Sequence, residues 1–126
     1  MNKLKILIVE DDEISRDLLR IQVRMYGKEI LQASTGVEAI EICRLNRDID
    51  LVLMDIQLPE MDGFEATHLI REFDKNVVII AQTAFGYTGE RQNAIEAGCT
   101  DYIAKPILKD QLMGLIQKYF GGQETV

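Results

Sequence analysis

The sequence predicts a doubly wound α/β domain, with a five-stranded parallel sheet in the order 2-1-3-4-5 and helices on both faces. Two observations predict it. Five short apolar runs recur along the 126 residues, most of them continuous rather than alternating, as strands buried on both faces require. Between them lie stretches with apolar residues at three- and four-residue spacing, the mark of amphipathic helices. Strand and helix in alternation give a three-layer sandwich, and this length suits one such domain.

The first strand is Ile6-Leu7-Ile8-Val9. Ile14, Leu18, Ile21 and Met25, stepping by four, three and four, are read as the buried stripe of helix 1. Strand 2 lies in Glu29-Ile30-Leu31-Gln32-Ala33, whose polar flanks suit a sheet edge. Val37, Ile40 and Cys43 mark helix 2, and Leu51-Val52-Leu53-Met54 is strand 3. Ala66, Leu69, Ile70 and Phe73 mark helix 3, and Val77-Val78-Ile79-Ile80-Ala81 is strand 4. A weakly apolar helix 4 runs from near Gly89 to Ala97, followed by strand 5 at Tyr102-Ile103-Ala104. Leu108, Leu112, Leu115 and Tyr119 make helix 5. Gly27, Gly98 and Gly121 fall where helix C-terminal caps belong. The domain is read as residues 1–121, with 122–126 a short loose tail.

Charge narrows the function. Lys plus Arg is 14 and Asp plus Glu is 21, a net charge of −7. That disfavours a nucleic-acid binder, which needs a basic face. No apolar run approaches the roughly 18 residues of a membrane span, and the N-terminal run is too short for a signal-peptide core. Cys43 and Cys99 alone make neither a disulfide framework nor a metal knuckle and read as reduced core thiols. These features suit a cytoplasmic chain that contacts neither nucleic acid nor membrane.

In a doubly wound sheet the ligand site lies outside the carboxyl ends of the strands, at the topological switch point. There stand Glu10 and Asp11 after strand 1, Asp55 after strand 3, Thr83 after strand 4 and Lys105-Pro106 after strand 5. Three carboxylates, a hydroxyl and an ammonium are therefore expected to converge. Two carboxylates about 4 Å apart repel by roughly 4 kcal/mol at an effective dielectric of 20. A hard divalent cation, Mg²⁺ or Mn²⁺, resolves the conflict and completes its shell with water and a phosphate. Asp55 is the candidate nucleophile, since a carboxylate can attack phosphorus to form an acyl phosphate. Lys105 and Thr83 are candidate contacts to phosphoryl oxygens.

Four stretches carry a family resemblance: Ile6-Leu7-Ile8-Val9-Glu10-Asp11-Asp12, Leu53-Met54-Asp55-Ile56-Gln57-Leu58-Pro59-Glu60-Met61-Asp62-Gly63, Thr83-Ala84 and Asp101-Tyr102-Ile103-Ala104-Lys105-Pro106. In this order and spacing they resemble the receiver domains of two-component response regulators, over nearly the whole chain. The resemblance implies a flavodoxin-like (βα)5 fold and a phosphoacceptor at Asp55. It implies metal ligation by Asp11, Asp55 and the Gln57 backbone carbonyl, with Glu10 acting through water. It implies phosphoryl contacts from Thr83 and Lys105, a conformational switch of Thr83 with Tyr102, and a cis Lys105–Pro106 peptide. Gln57 and Phe85 occupy the positions that tune phosphoryl lifetime in the family. The implied partner is a histidine kinase or histidine phosphotransfer domain, and the implied state a monomer or a weak, phosphorylation-dependent dimer.

Other acids have plainer readings. Asp12 and Glu13 suit the opening of helix 1, and Asp62 before Gly63 suits an N-cap. Asp48 and Asp50 are loop acids with no evident role, and His68 is an exposed helix residue. The chain is read as a signalling module that catalyses its own phosphorylation and dephosphorylation, not a metabolic enzyme. An aspartyl phosphatase of the haloacid-dehalogenase kind needs an acid two residues after the nucleophile, where Gln57 stands. A flavin-binding protein would place its phosphate where four carboxylates cluster. An inactive receiver is disfavoured because every required position is filled. The motifs resemble most the receivers at the C-terminal end of hybrid sensor histidine kinases; a stand-alone regulator is the alternative.

Overall fold

The computed structural model describes residues 2–84 and 88–121. Five strands, β1 (Leu4–Val9), β2 (Gly27–Ala33), β3 (Leu51–Asp55), β4 (Val78–Thr83) and β5 (Asp101–Ala104), alternate with helices α1 (Glu13–Val23), α2 (Gly36–Leu45), α3 (Gly63–Arg71), α4 (Thr88–Ala97) and α5 (Lys109–Phe120). A 3₁₀ turn at Arg24–Tyr26 follows α1. The sheet order is β2-β1-β3-β4-β5, every pairing parallel. The predicted doubly wound architecture and its edge strand are both found. The predicted tail at 122–126 lies outside the described residues.

Alternation along the strands sends side chains to two cores. Leu7, Val9, Val52, Met54, Ile79 and Ala81 face Ala39, Ile40 and Cys43 of α2 and Ala66 and Ile70 of α3. Ile6, Ile8, Leu51, Leu53 and Ile80 face Leu19 and Val23 of α1 and Leu112 and Ile116 of α5. Burying one such aliphatic side chain stabilises the fold by about 1.5–3 kcal/mol. The central strands β1 and β3 are buried along their whole length, so residues at their C-terminal ends are held by packing on both faces.

The buried face of α1 differs from the expected one. Ile14, Leu18, Ile21 and Met25 are 72%, 56%, 52% and 62% exposed, and Leu19 and Val23 carry the packing. At 3.6 residues per turn the two faces are roughly 150° apart. Periodicity detects an apolar stripe without saying which of two stripes meets the sheet; here a four-residue pair suffices for burial. Met25 lies beyond α1, in the 3₁₀ turn. Val37 and Leu108, also read as stripe residues, are exposed, and Leu108 is the N-cap residue of α5.

Of the three predicted glycine caps only Gly98 takes the left-handed conformation, with φ +102°. Gly27 is extended and opens β2, and Gly121 stays right-handed. Asp48 and Asp50 do have a role: Asp48 Oδ1 accepts from Lys5 Nζ at 3.0 Å, and Asp50 Oδ2 accepts from the Lys5 backbone N–H at 2.8 Å. They tie the loop before β3 to β1. No helix among the described residues is long and apolar enough to cross a membrane.

Candidate functional site

The site is built on the ends of the buried strands. β3 ends at Asp55, which is 1% exposed. Its Oδ1 accepts from the Gln57 backbone N–H at 3.0 Å, and its Oδ2 lies 3.1 Å from Lys105 Nζ. The backbone behind it is clamped by the start of α3. Asp62 caps that helix, accepting from the Glu65 N–H at 2.8 Å, and the Gly63 N–H donates to the Ile56 carbonyl at 3.1 Å. A Cβ on Gly63 would stand 2.3 Å from the Asp55 carbonyl oxygen, so only glycine permits this approach.

Glu10 follows β1 and is also 1% exposed. Its Oε1 accepts from Lys105 Nζ at 3.2 Å, and its Oε2 accepts from the Asp12 backbone N–H at 3.2 Å. Arg16 Nη1 donates to the Glu10 carbonyl at 2.9 Å. Burial pushes the Glu10 carboxyl up to about 7, helped by its hydrogen bond with Asp55 and by that residue's charge, and opposed by the Asp12 N–H and Lys105. Although burial works against its charge, Lys105 is held above its ordinary value by the two carboxylates. Asp12 caps α1 through the Ser15 N–H at 2.9 Å, as expected, and Asp11 is left exposed beside Glu10.

Carboxylate oxygens of Glu10, Asp11 and Asp55 all lie within 4.8 Å of one another. Cis and trans ligands of an octahedral cation with bonds of about 2.1 Å stand roughly 3 and 4 Å apart. The donor set is all oxygen and anionic, and one member is open to solvent. The residues therefore fit Mg²⁺ or Mn²⁺.

Four of the predicted residues thus meet: Glu10, Asp11, Asp55 and Lys105. Thr83 is fully buried, and its hydroxyl donates to the Ile103 carbonyl at 3.5 Å. The expected convergence of that hydroxyl on the carboxylates is not seen. Asp55 is the register partner of Gln82 across β3 and β4, so alternation turns the neighbouring Thr83 to the other face. Tyr102 is half-buried, with the Arg91 guanidinium 5.9 Å from its ring centroid. The Lys105–Pro106 peptide is cis. Gln57 is exposed. Phe85 lies outside the described residues. His68 is exposed, and both cysteines are free and buried, with burial raising the Cys43 thiol to about 12.

Two contributors were not found from sequence. Arg16 holds the backbone of Glu10, a contact that no local pattern announces. Gln82 sits in register with Asp55; the one signal for it is a long polar side chain in an otherwise apolar strand, directly before Thr83.

A family model described as the response regulator receiver domain matches residues 6–117. The curated response regulator DivK of Brucella anthropi is 37% identical over 118 residues, which is 92% of this chain and 95% of that protein. Among solved structures, the receiver domain of Saccharomyces cerevisiae Ssk1, crystallised with the histidine phosphotransfer protein Ypd1, aligns with a TM-score of 0.89 at 31% identity, covering 97% of this chain and 92% of that one. The receiver domain of the Pseudomonas aeruginosa sensor histidine kinase PA1611, with a magnesium ion coordinated in its active site cleft, aligns with a TM-score of 0.83 at 34% identity, covering 95% and 99%.

Proposed function

The chain belongs to the response regulator receiver family of two-component signalling, and from that premise we propose that it accepts a phosphoryl group on Asp55 from a phosphohistidine. The observation that carries this is the placement of Asp55 at the end of the central strand, 3.1 Å from Lys105 and within one cation's reach of Glu10 and Asp11.

An Asp55 carboxylate oxygen attacks phosphorus, the phosphorus–nitrogen bond breaks, and the imidazole leaves with the electron pair. The product is an acyl phosphate on Asp55. The Gln57 N–H fixes the rotation of the carboxylate before attack. Lys105 is the point charge that follows the negative charge from the carboxylate to the phosphoryl oxygens. Asp11, Asp55, the Gln57 carbonyl and, through water, Glu10 would hold Mg²⁺ or Mn²⁺, which would supply charge neutralisation on the phosphoryl oxygens. Thr83 and Tyr102 are the switch: the added charge of about −1.5 to −2 draws the Thr83 hydroxyl off Ile103, and Tyr102 moves into the space. Gln57 and Phe85, at the two positions that vary in the family, set the phosphoryl lifetime.

The donor is a histidine kinase or histidine phosphotransfer domain. Support comes from the exposed apolar residues of α1, Ile14, Leu18 and Ile21. Leu18 also lines a cavity with Lys105 and Pro106, so a partner resting there reaches the site. The same function serves a receiver within a sensor histidine kinase, as PA1611 is, and a regulator of DivK's length; a hybrid sensor kinase is the setting we propose for this chain. The setting is cytoplasmic, and the chain acts as a monomer or a weak dimer formed on phosphorylation.

The test is acetyl phosphate with Mg²⁺ followed by intact mass. One base-labile phosphate should appear and should vanish in Asp55→Ala. A wild-type chain that takes no phosphate would sink the reading.

A further inference from the structure

Gln82 is buried beside the reactive carboxylate, its amide unmet among the described residues. It is the in-register neighbour of Asp55 on the adjacent strand, so both side chains leave the sheet on the same face. It is 1% exposed, and neither its Oε1 nor its Nε2 has a hydrogen-bond partner among the described residues. A buried amide unmet on both atoms is costly and needs a reason. Gln82 lines a cavity of about 440 Å³ together with Glu10, Lys105, Leu18, Leu19 and Gln22. The Lys105 backbone N–H donates to the carbonyl of the next residue, Thr83, at 2.7 Å, so the two strand ends are fixed side by side.

The ammonium of Lys105 presently sits on Asp55 Oδ2 and Glu10 Oε1. Those carboxylates are also the ones a divalent cation requires. A divalent cation on these carboxylates repels the ammonium and competes with it for their oxygens. When the metal arrives, Lys105 needs another acceptor, and one that keeps it inside the site.

We propose that Gln82 is a positioning residue for Lys105, its Oε1 accepting the ammonium when a divalent cation occupies the cluster of Glu10, Asp11 and Asp55. The inference rests on the reading of that cluster as a cation site. A neutral acceptor is well suited here, because it holds the ammonium without adding charge and gives it up to a phosphoryl oxygen. Gln82 thereby favours cation binding, because it gives the displaced ammonium a destination.

The proposal is tested by calorimetric titration of the full chain with Mg²⁺ alone. Gln82→Leu should bind Mg²⁺ roughly tenfold more weakly than wild type, about 1.4 kcal/mol. In a Lys105→Ala background the same change should have no effect beyond about twofold, the scatter of non-interacting sites. Gln82→Met, which keeps the length and removes the acceptor, should behave as Gln82→Leu does. Equal affinity in wild type and Gln82→Leu would overturn the proposal. So would an equal weakening with and without Lys105, which would assign the amide to cavity shape or a bound water. A wild-type chain that binds no Mg²⁺ would instead sink the cation reading and this proposal with it.

Discussion

Lys105 Nζ lies 3.1 Å from Asp55 Oδ2, and the same ammonium reaches Glu10 Oε1 at 3.2 Å. One partly exposed cation therefore compensates two carboxylates that are almost wholly buried. Removing it leaves them facing each other. Lys105→Ala should lose about 1–3 kcal/mol of stability at pH 8 in chelator, less than a fully buried pair would because the ammonium is 30% exposed. Added Mg²⁺ should restore the loss, since the metal takes over the compensation. Urea unfolding with and without Mg²⁺ measures both. A variant as stable as wild type in chelator would show that solvent already screens the pair.

The raised Glu10 carboxyl makes stability depend on pH in a definite direction. Its folded value of about 7 lies above its ordinary 4.5. Between those values the folded state holds a proton that the unfolded state has released, so stability falls as pH rises from about 4.5 to 7. The full span corresponds to at most about 3 kcal/mol. In chelator the metal-free protein should lose stability across this window, and Glu10→Gln should flatten the slope. A cation requires the deprotonated carboxylate, so Mg²⁺ affinity should rise over the same range. Urea midpoints at pH 5, 6 and 7 decide it; a midpoint rising with pH would contradict the assignment.

Gly63 is where the fold and the site meet. A methyl group there would lie 2.3 Å from the Asp55 carbonyl oxygen and 2.7 Å from Ile56 Cα. Both are backbone atoms of a buried strand end and cannot yield as a side chain can. Gly63→Ala should cost about 1–3 kcal/mol and slow labelling of Asp55, because the carboxylate is displaced with its backbone. Gly114 in α5 is the control: nothing lies within 4 Å of its Cβ position, and Gly114→Ala should stabilise by about 0.5–1 kcal/mol. Denaturant unfolding of the two variants should give opposite signs.

Legibility in the sequence followed the physics of each element. Continuous apolar runs such as Leu51-Val52-Leu53-Met54 announced strands buried on both faces, and with them the sheet order and the strand-end placement of Glu10, Asp55 and Lys105. Asp12 and Asp62 were legible because capping is local. What was misread depends on non-local choice. Ile14 and Leu18 form as good a stripe as Leu19 and Val23, and only docking on β1 and β3 selects between them. Thr83 was placed at the right strand end, but its direction depends on register with β3 and β5, which a single strand does not carry. Gln82 went unnoticed for the same reason: its importance lies in a neighbour 27 positions earlier in the chain.

The misread stripe leads to a prediction of its own. Ile14, Leu18 and Ile21 stand exposed on one face of α1, and Leu18 borders the cavity that Lys105 and Pro106 also line. Aliphatic side chains grouped beside a reactive site point to a partner surface. Ile14 and Leu18 belong to neither buried core, so the unfolding midpoints of Ile14→Lys and Leu18→Lys should stay within about 0.5 kcal/mol of wild type. Labelling by acetyl phosphate needs no protein partner and should also be unchanged. Transfer from a phosphorylated histidine phosphotransfer domain should slow by roughly tenfold or more per substitution, as the loss of about 1.4 kcal/mol of apolar contact implies. Rapid-quench transfer assays read the difference, with the effect in KM rather than in the transfer step at saturation. If both donors slow equally, the substitutions have disturbed the site itself; if neither slows, docking takes place elsewhere on the molecule.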